Sequence, residues 1–202
     1  MAPRFIAKQL SRPSGFMGAV TRLMMNRHNA GMNAFAVRQL KLEPADCVLE
    51  IGFGGGVTLP PLMDAAGFVA GVDRSGDVIG WAQRRFSRQV MAGRAEFRQG
   101  NVESLPFDTA AFDKVCTVNT VYFWSSLEEG FAEIYRVLKP RGRVAVGFLP
   151  KERMDRMGMP EDIFTGRAPL EVVGALTRAK FRDVLIARPE AHTPWNVVVA
   201  TR

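Results

Sequence analysis

Four glycines in five positions follow an acidic residue in VLEIGFGGGV, which covers residues 48–57. Because glycine has no Cβ, such a run between a strand and a helix lets a ligand approach the backbone closely. Phosphates, dinucleotides and nucleosides are all candidate ligands. A second acid, Asp73, closes the apolar stretch GFVAGVD and offers two carboxylate oxygens to a pair of hydroxyl donors. These residues predict a cofactor site, and the spacing of the glycines narrows the choice among these three classes of ligand.

The glycine spacing excludes two of the three ligand classes. A phosphate-binding P-loop needs a Gly-Lys pair, and no such pair occurs in the chain. A dinucleotide turn needs G-x-G-x-x-G, but Val57 takes the third position counted from Gly52, and Leu59 takes it counted from Gly54. A bulky side chain there disturbs the close packing of helix on strand. The spacing therefore argues against an NAD(P) oxidoreductase and leaves a ligand without phosphate.

Alternating strands and helices must position these residues. Periodicity predicts strands at CVLEI, GFVAGVD, AEFRQG, FDKVCTVN and RVAVGFL, with helices that include residues 76–91 and 126–139. FRDVLIARP and WNVVVATR predict a C-terminal antiparallel hairpin. The pattern indicates an α/β fold with a Rossmann-like seven-stranded, mostly parallel sheet covered by helices on both faces. Ligands of such sheets bind beyond the carboxyl ends of the strands, where the glycines and Asp73 are expected.

The first 42 residues differ from the rest in charge. They contain seven basic residues and no acid, whereas the other 20 basic residues are balanced by all 20 acidic ones, so the net charge of +7 belongs to this segment. Basic segments favour anionic partners. We therefore divide the chain into a basic N-terminal arm with lid helices, residues 1–42, and a ligand-binding domain, residues 43–202. Within the first segment, apolar residues at helical spacing from Met32 to Leu40 predict a short helix.

Composition limits the class of protein further. Two cysteines, Cys47 and Cys116, are too few for a disulfide scaffold or a zinc site, and no metal is expected. No apolar run approaches the roughly 20 residues needed to span a bilayer, and the N-terminus lacks a continuous apolar signal region. A cytoplasmic location is expected. The neutral remainder of the chain argues against a nucleic-acid partner, while the basic segment leaves transient contact with a membrane surface open.

The run Glu50-x-Gly52-x-Gly54-x-Gly56 resembles motif I of the class I S-adenosylmethionine-dependent methyltransferases. Asp73 resembles the acid that binds the ribose hydroxyls in this family. Three later stretches match in order: GNVESLPF, which resembles the segment bordering the adenine, FDKVCTVNTVYFW, and EIYRVLKPRGRVAVGF. Together the matches cover roughly residues 45–149. They are most similar to the small-molecule and lipid-precursor branch that includes the quinone methyltransferases.

The resemblance implies S-adenosylmethionine as cofactor. It assigns cofactor binding to Glu50, Gly52, Gly54, Gly56, Asp73, Arg74, Asn101, Val102 and Asn119. One departure is that Asn101 replaces the family's adenine-contacting Asp, so its amide oxygen accepts from the adenine amine in only one orientation. Arg74 directly follows the ribose acid, and we interpret it as a surface arginine near the adenine.

Three residues are candidates for handling the methyl acceptor: Asn119, Tyr122 and His28. Asn119 and Tyr122 follow the fourth strand, which abuts the sulfonium in this family. Asn119 is expected to hold the methionine moiety or the acceptor, with a helix-capping role as the alternative, and Tyr122 to donate to or orient an acceptor. His28 is a candidate base, with helix packing as the alternative. Phe123 and Trp124 are expected either to line a site for an aromatic or lipid-like substrate or to pack in the core.

The expected reaction is methyl transfer to a small-molecule or lipid-precursor acceptor, which gives S-adenosylhomocysteine. One alternative is an RNA methyltransferase whose basic N-terminal segment holds phosphates. Another is a non-catalytic nucleoside-binding module. The Asp/Asn-Pro-Pro-Tyr/Phe pattern of N6-adenine methyltransferases is absent, because Asn119 is followed by Thr120 and Val121.

Overall fold

The computed structural model describes residues 30–189 and 193–202. Within these residues, seven strands form one sheet. The strands are β1 Cys47–Ile51, β2 Phe68–Asp73, β3 Ala95–Gln99, β4 Phe112–Val118, β5 Leu138–Phe148, β6 Arg182–Ala187 and β7 Asn196–Thr201. The helices are α1 over residues 30–40, then α2 Leu59–Ala65, α3 Gly76–Arg85, α4 Ser87–Met91, α5 Leu127–Val137, α6 Lys151–Arg156 and α7 Pro169–Arg178. A short 3₁₀ helix, Val121–Phe123, follows β4.

The strand order is β3-β2-β1-β4-β5-β7-β6. The first five strands are parallel to one another, whereas β7 runs antiparallel to both β5 and β6. The predicted fold, including the C-terminal hairpin, is confirmed. Because the chain moves outward from β1 to β2 and β3 and then returns to place β4 on the other side of β1, the loops after β1 and β4 diverge. Such a switch point opens a crevice for ligands.

Each face of the sheet has its own hydrophobic core. Successive strand residues point to opposite faces, so Val48 packs in one core and its neighbour Leu49 in the other. One core contains side chains of α5 and α7, and the other contains side chains of α1, α2 and α3. The predicted helix ending at Leu40 is confirmed by α1, and its expected apolar face is buried. Helices therefore cover both faces and leave the carboxyl edge of the parallel strands open.

Two predicted helix boundaries were wrong. The single helix expected over residues 76–91 is interrupted at Phe86, whose backbone leaves helical geometry and whose buried ring packs 5.9 Å from that of Phe97. The helix expected to continue to Lys139 ends at Val137. Proline disfavours the helical conformation in the residue before it, so Pro140 turns the chain at once into β5, which already begins at Leu138.

Several expectations concern residues 1–29, which lie outside the described part of the chain. These are the part of the basic N-terminal segment that precedes α1, and His28. The boundary between residues 1–42 and 43–202 remains a prediction. None of the helices within residues 30–189 and 193–202 is long and apolar enough to cross a membrane.

Candidate active site

An open cleft of about 660 Å³ lies beyond the carboxyl ends of β1, β2 and β4. We call it the main cleft, and it is lined by Ile51, Gly52, Gly54, Val72, Asp73, Arg74, Gly100, Asn101, Val102, Val118, Asn119, Thr120, Phe123 and Trp124. The cleft therefore lies at the switch point and combines loops from four strands.

A smaller side chamber of about 390 Å³ adjoins the main cleft. It is lined by Asn33, Glu50, Gly52, Phe53, Gly54, Gly55, Val57, Thr58, Val118 and Asn119. Four of these residues, Gly52, Gly54, Val118 and Asn119, also line the main cleft. The two spaces therefore meet between the glycine turn and the end of β4.

The glycine turn brings bare backbone to the cleft. Gly52, Gly54 and Gly56 all have positive φ, at 69°, 43° and 67°, a conformation that glycine adopts without steric cost. A Cβ at Gly52 would clash with Cγ2 of Thr120, and one at Gly56 would lie 2.8 Å from the ring of Trp81. We call residues 52–56 together with Asp73 the backbone wall.

Asp73 ties this turn to β2. Its Oδ2 accepts a hydrogen bond from the N–H of Gly54 at 3.0 Å, and its Oδ1 accepts one from the N–H of Ser75 at 2.9 Å. Burial raises the pKa of Asp73 above its usual value, although these two backbone donors and Arg74 oppose the shift. A carboxylate has about four acceptor positions, so each oxygen retains capacity for a further donor from the cleft.

Glu50 is buried at the edge of the side chamber. The hydroxyl of Thr58 donates to its Oε1, whereas its Oε2 has no hydrogen-bond partner among the described residues. Burial raises the pKa of Glu50 to about 8, the Thr58 hydrogen bond opposes this, and the nearby charge of Asp73 adds to it. The group is an unsatisfied buried acid of the kind that binding sites contain.

The far end of the main cleft is formed by the turns after β2 and β3. The oxygen of Asn101 accepts from the backbone N–H of Val102 at 2.9 Å, and the side chain of Val102 is buried. The guanidinium of Arg74 lies 5.8 Å from the centre of the Phe123 ring. Arg74 and Phe123 thus meet across the cleft, from the turns after β2 and β4.

Asn119 and Tyr122 follow β4 but occupy different places. Asn119 lines both the main cleft and the side chamber. Tyr122 is buried behind it, and its hydroxyl donates to Oδ1 of Asn119 at 3.0 Å and accepts from the N–H of Leu149. The expected contact of Tyr122 with an acceptor is therefore replaced in this structure by contacts within the protein.

Aromatic side chains form the wall opposite the glycines. Phe123 and Trp124 line the main cleft, and Phe164 packs behind Phe123 at 5.0 Å between ring centres. Trp124 also packs on Phe131 of α5, 5.1 Å away, so it contacts both the cleft and the core. We call residues 119–124 together with Phe164 the aromatic wall.

The segment after β5 holds the aromatic wall in place. Thr165 donates its backbone N–H to the carbonyl of Tyr122 at 3.0 Å. Arg167 donates to the carbonyls of Val121 and Trp124 at 3.4 and 3.2 Å. These bonds connect the loop after β4 to a part of the chain more than 40 residues away.

The structure brings most of the predicted site residues together. Those that line the main cleft are Gly52, Gly54, Asp73, Arg74, Asn101, Val102 and Asn119, and Glu50 lines the side chamber. Gly56 instead packs under Trp81. Sequence reasoning missed Asn33, a buried polar residue of α1 that lines the side chamber. Its only signal was an amide within the otherwise apolar face of a short helix.

The described residues contain no group of three or more His, Cys, Asp or Glu side chains that could hold a metal ion. The groups that line the cleft and the side chamber are carboxylates, amides, a guanidinium, aromatic rings and bare backbone. Such a set suits an organic ligand with hydroxyl, amino and aromatic groups.

Comparison with known proteins identifies the family. Residues 49–146 match the family model described as Methyltransferase domain. An uncharacterized methyltransferase of Bacillus subtilis, YdaC, is 31% identical over 131 residues, which cover 64% of this chain and 70% of that protein. The chain belongs to the class I S-adenosylmethionine-dependent methyltransferases. The matched region contains the glycine turn, Asp73 and the loop after β4, so this methyltransferase has S-adenosylmethionine as its cofactor.

Two further proteins are similar to the methyltransferase, one in sequence and one in fold. The ubiquinone/menaquinone biosynthesis C-methyltransferase UbiE of Geotalea daltonii is 27% identical over 115 residues, or 55% of this chain and 49% of that protein. The alignment thus spans only about half of UbiE. The solved structure of YcgJ from Bacillus subtilis is 16% identical, with a TM-score of 0.70 over 86% of this chain and 98% of that one. The last comparison concerns the fold alone.

Proposed function

We propose that the enzyme transfers a methyl group from S-adenosylmethionine to a small-molecule or lipid-precursor acceptor and releases S-adenosylhomocysteine. The observation that carries the acceptor class is the aromatic wall, in which Phe123 and Trp124 face the cleft. Pockets for small molecules are mostly apolar, with a few placed polar groups. The similarity to a quinone methyltransferase supports the same class of acceptor.

The backbone wall fits the cofactor. The carboxylate of Asp73 already accepts from Gly54 and Ser75, and its remaining positions suit the two adjacent hydroxyls of a ribose. Gly52 lacks the Cβ that would clash with Thr120, so its backbone lines the cleft without a side chain. The unpartnered Oε2 of Glu50 offers an acceptor to an ammonium group. Together these residues would hold the ribose and the amino-acid end.

The adenine is assigned to the turn after β3. Val102 contributes a buried apolar surface, and Arg74 also lines this part of the cleft. The oxygen of Asn101 already accepts from Val102 N–H, so this side chain presents no free acceptor to the adenine amine in this orientation. We therefore assign the adenine to its apolar neighbours and not to a hydrogen bond with Asn101.

The cofactor supplies an electrophilic methyl group on its sulfonium. The protein then has to orient the acceptor in line with that group and keep it close, which by itself contributes a large part of a rate enhancement. We assign this work to the aromatic wall, because Thr165 and Arg167 donate hydrogen bonds to its backbone carbonyls and Phe164 packs against Phe123 within it. Asn119, at the junction of the two spaces, is the polar residue placed to contact the reacting groups.

The test is methyl transfer from S-adenosylmethionine with a labelled methyl group. The purified full chain is incubated with phenols, hydroquinones, amines, prenylated ring compounds and RNA. We expect label in a phenol, a hydroquinone or a prenylated compound, and turnover lowered in Phe123→Ala. Label in RNA alone, with a steep dependence on salt, would instead support an RNA methyltransferase and contradict the proposed acceptor class.

A further inference from the structure

Asn119 has an unusual backbone for a residue other than glycine. Its φ of 58° lies in the left-handed region, which asparagine adopts more readily than most residues. The conformation is held at the end of β4, where the N–H of Asn119 donates to the carbonyl of Gly147 at 2.8 Å. The side chain is thereby directed to the place where the main cleft and the side chamber meet.

The carboxamide of Asn119 has a defined orientation. The N–H of Leu149 donates to the hydroxyl oxygen of Tyr122, so the proton of that hydroxyl remains for Asn119. The hydroxyl donates it to Oδ1 at 3.0 Å. With the amide reversed, two donors would meet one hydroxyl oxygen, and the hydroxyl proton would face an NH₂ group that cannot accept. The oxygen of Asn119 must therefore face Tyr122.

Tyr122 is suited to act as a permanent donor. It is buried, its carbonyl accepts from Thr165 at 3.0 Å, and its ring packs against Phe123 and Phe164. Burial also raises the pKa of Tyr122 above its usual value, although the hydrogen bond from Leu149 opposes the shift. The hydroxyl is therefore protonated at neutral pH, and its neighbours hold it in place.

We propose that Tyr122 is a positioning residue that fixes Asn119 with its NH₂ group toward the cleft, where this group donates to a negatively charged or partly negative oxygen of the ligand. This inference rests on the proposed function. Two ligand oxygens have the required chemistry: the carboxylate at the amino-acid end of the cofactor, and an oxygen of the acceptor.

The substitution Asn119→Asp tests the donor with little change in shape. One aspartate oxygen can still accept from Tyr122, while the other replaces the NH₂ group with a negative charge. If the donor faces the cofactor, affinity for S-adenosylhomocysteine should fall by about tenfold or more, whereas affinity for 5′-methylthioadenosine, which lacks the amino-acid end, should be unchanged. If it faces the acceptor, both affinities should be retained and kcat/KM for the acceptor should fall instead.

Tyr122→Phe tests the positioning role, and Tyr135→Phe is its matched control. Tyr135 is the only other tyrosine in the chain. It lies on α5, outside the lining of the cleft, and packs against Phe181. We expect Tyr122→Phe to shift the ratio of affinities for S-adenosylhomocysteine and 5′-methylthioadenosine, or kcat/KM for the acceptor, in the same direction as Asn119→Asp. A role in folding alone would lower the melting temperature and leave both quantities unchanged.

Asp73→Ala separates failure of this inference from failure of the proposed function. If Asp73→Ala binds S-adenosylhomocysteine as tightly as the wild type, the proposed cofactor site itself is wrong. If Asp73→Ala loses affinity while a folded Asn119→Asp variant keeps both its ligand affinities and its acceptor kcat/KM, the cofactor site stands. In that case the proposal for Tyr122 and Asn119 is overturned.

Discussion

The backbone wall consists of glycines, turns and one carboxylate, whereas the aromatic wall consists of side chains held by contacts from distant parts of the chain. Asp73 lies 19 residues from Gly54, whose N–H donates a hydrogen bond to it. By contrast, Arg167 stabilises the carbonyls of Val121 and Trp124 across more than 40 residues. A wall of backbone can be specified by a short motif, while a wall of side chains depends on the whole fold. We expect the first wall to determine cofactor affinity and the second to determine acceptor turnover.

Apart from the loss of Asp73, Gly52→Ala should have the largest effect on the backbone wall. An alanine in the left-handed region costs about 1–2 kcal/mol, and its Cβ would also clash with Thr120. We expect affinity for S-adenosylhomocysteine to fall at least about 30-fold, measured by calorimetry. Adding Thr120→Ser removes the clashing methyl and keeps the hydroxyl that is hydrogen-bonded to Thr117, so it should restore part of the affinity. Unchanged affinity in Gly52→Ala would show that the ligand does not contact this turn.

Phe123→Ala should affect the aromatic wall and not the backbone wall. It removes a ring that lines the cleft and contacts Arg74 and Phe164. We expect about a tenfold lower kcat/KM for the acceptor, since aromatic contacts contribute on the order of 1 kcal/mol beyond burial, with a smaller change in cofactor affinity. Phe181→Ala, a buried phenylalanine far from the cleft, controls for lost stability. Equal losses in cofactor and acceptor steps would remove the distinction between the walls.

Glu50 should make the stability of the ligand-free enzyme depend on pH. Burial raises the pKa of Glu50 to about 8 from its usual value of 4.5, so between these values the folded state keeps a proton that the unfolded state loses. The free energy of unfolding should therefore fall as pH rises from 5 to 8 and level off above. In Glu50→Gln this contribution should vanish, as measured by urea denaturation at several pH values. Identical pH profiles for the two proteins would contradict the burial of an unpaired acid.

Asn101→Asp should have the smallest effect, and in the opposite direction from Asn119→Asp. The oxygen of Asn101 is already engaged with Val102 N–H, whereas an aspartate would keep that bond and add a second acceptor for the adenine amine. We expect affinity for S-adenosylhomocysteine to rise by about threefold, within the range of one exposed hydrogen bond. A loss of affinity would instead indicate that the NH₂ group of Asn101 contacts the ligand.

The sequence predicted the backbone wall better than the aromatic wall. The glycines and Asp73 lie at strand ends, and the carboxyl ends of parallel strands share one edge of a sheet. Their meeting follows from local patterns alone. The hydrogen bond from Leu149 to the Tyr122 hydroxyl could not be predicted in this way, because Leu149 is 27 residues away, directly after β5. Asn33 was missed for the same reason: it reaches the side chamber only because α1 packs across the sheet.

The assignment of the cofactor site to the backbone wall is tested most directly by calorimetry. Binding of S-adenosylhomocysteine and of NADPH is measured for the wild type, Asp73→Ala and Asp64→Ala. Asp64 is an exposed acid on α2, outside the cleft, and serves as the matched control. We expect the wild type and Asp64→Ala to bind S-adenosylhomocysteine alike and neither to prefer NADPH. Asp73→Ala should lose affinity by about 100-fold, the effect of two hydrogen bonds to a charged group. Unchanged affinity in Asp73→Ala, or tighter binding of NADPH by the wild type, would contradict this assignment.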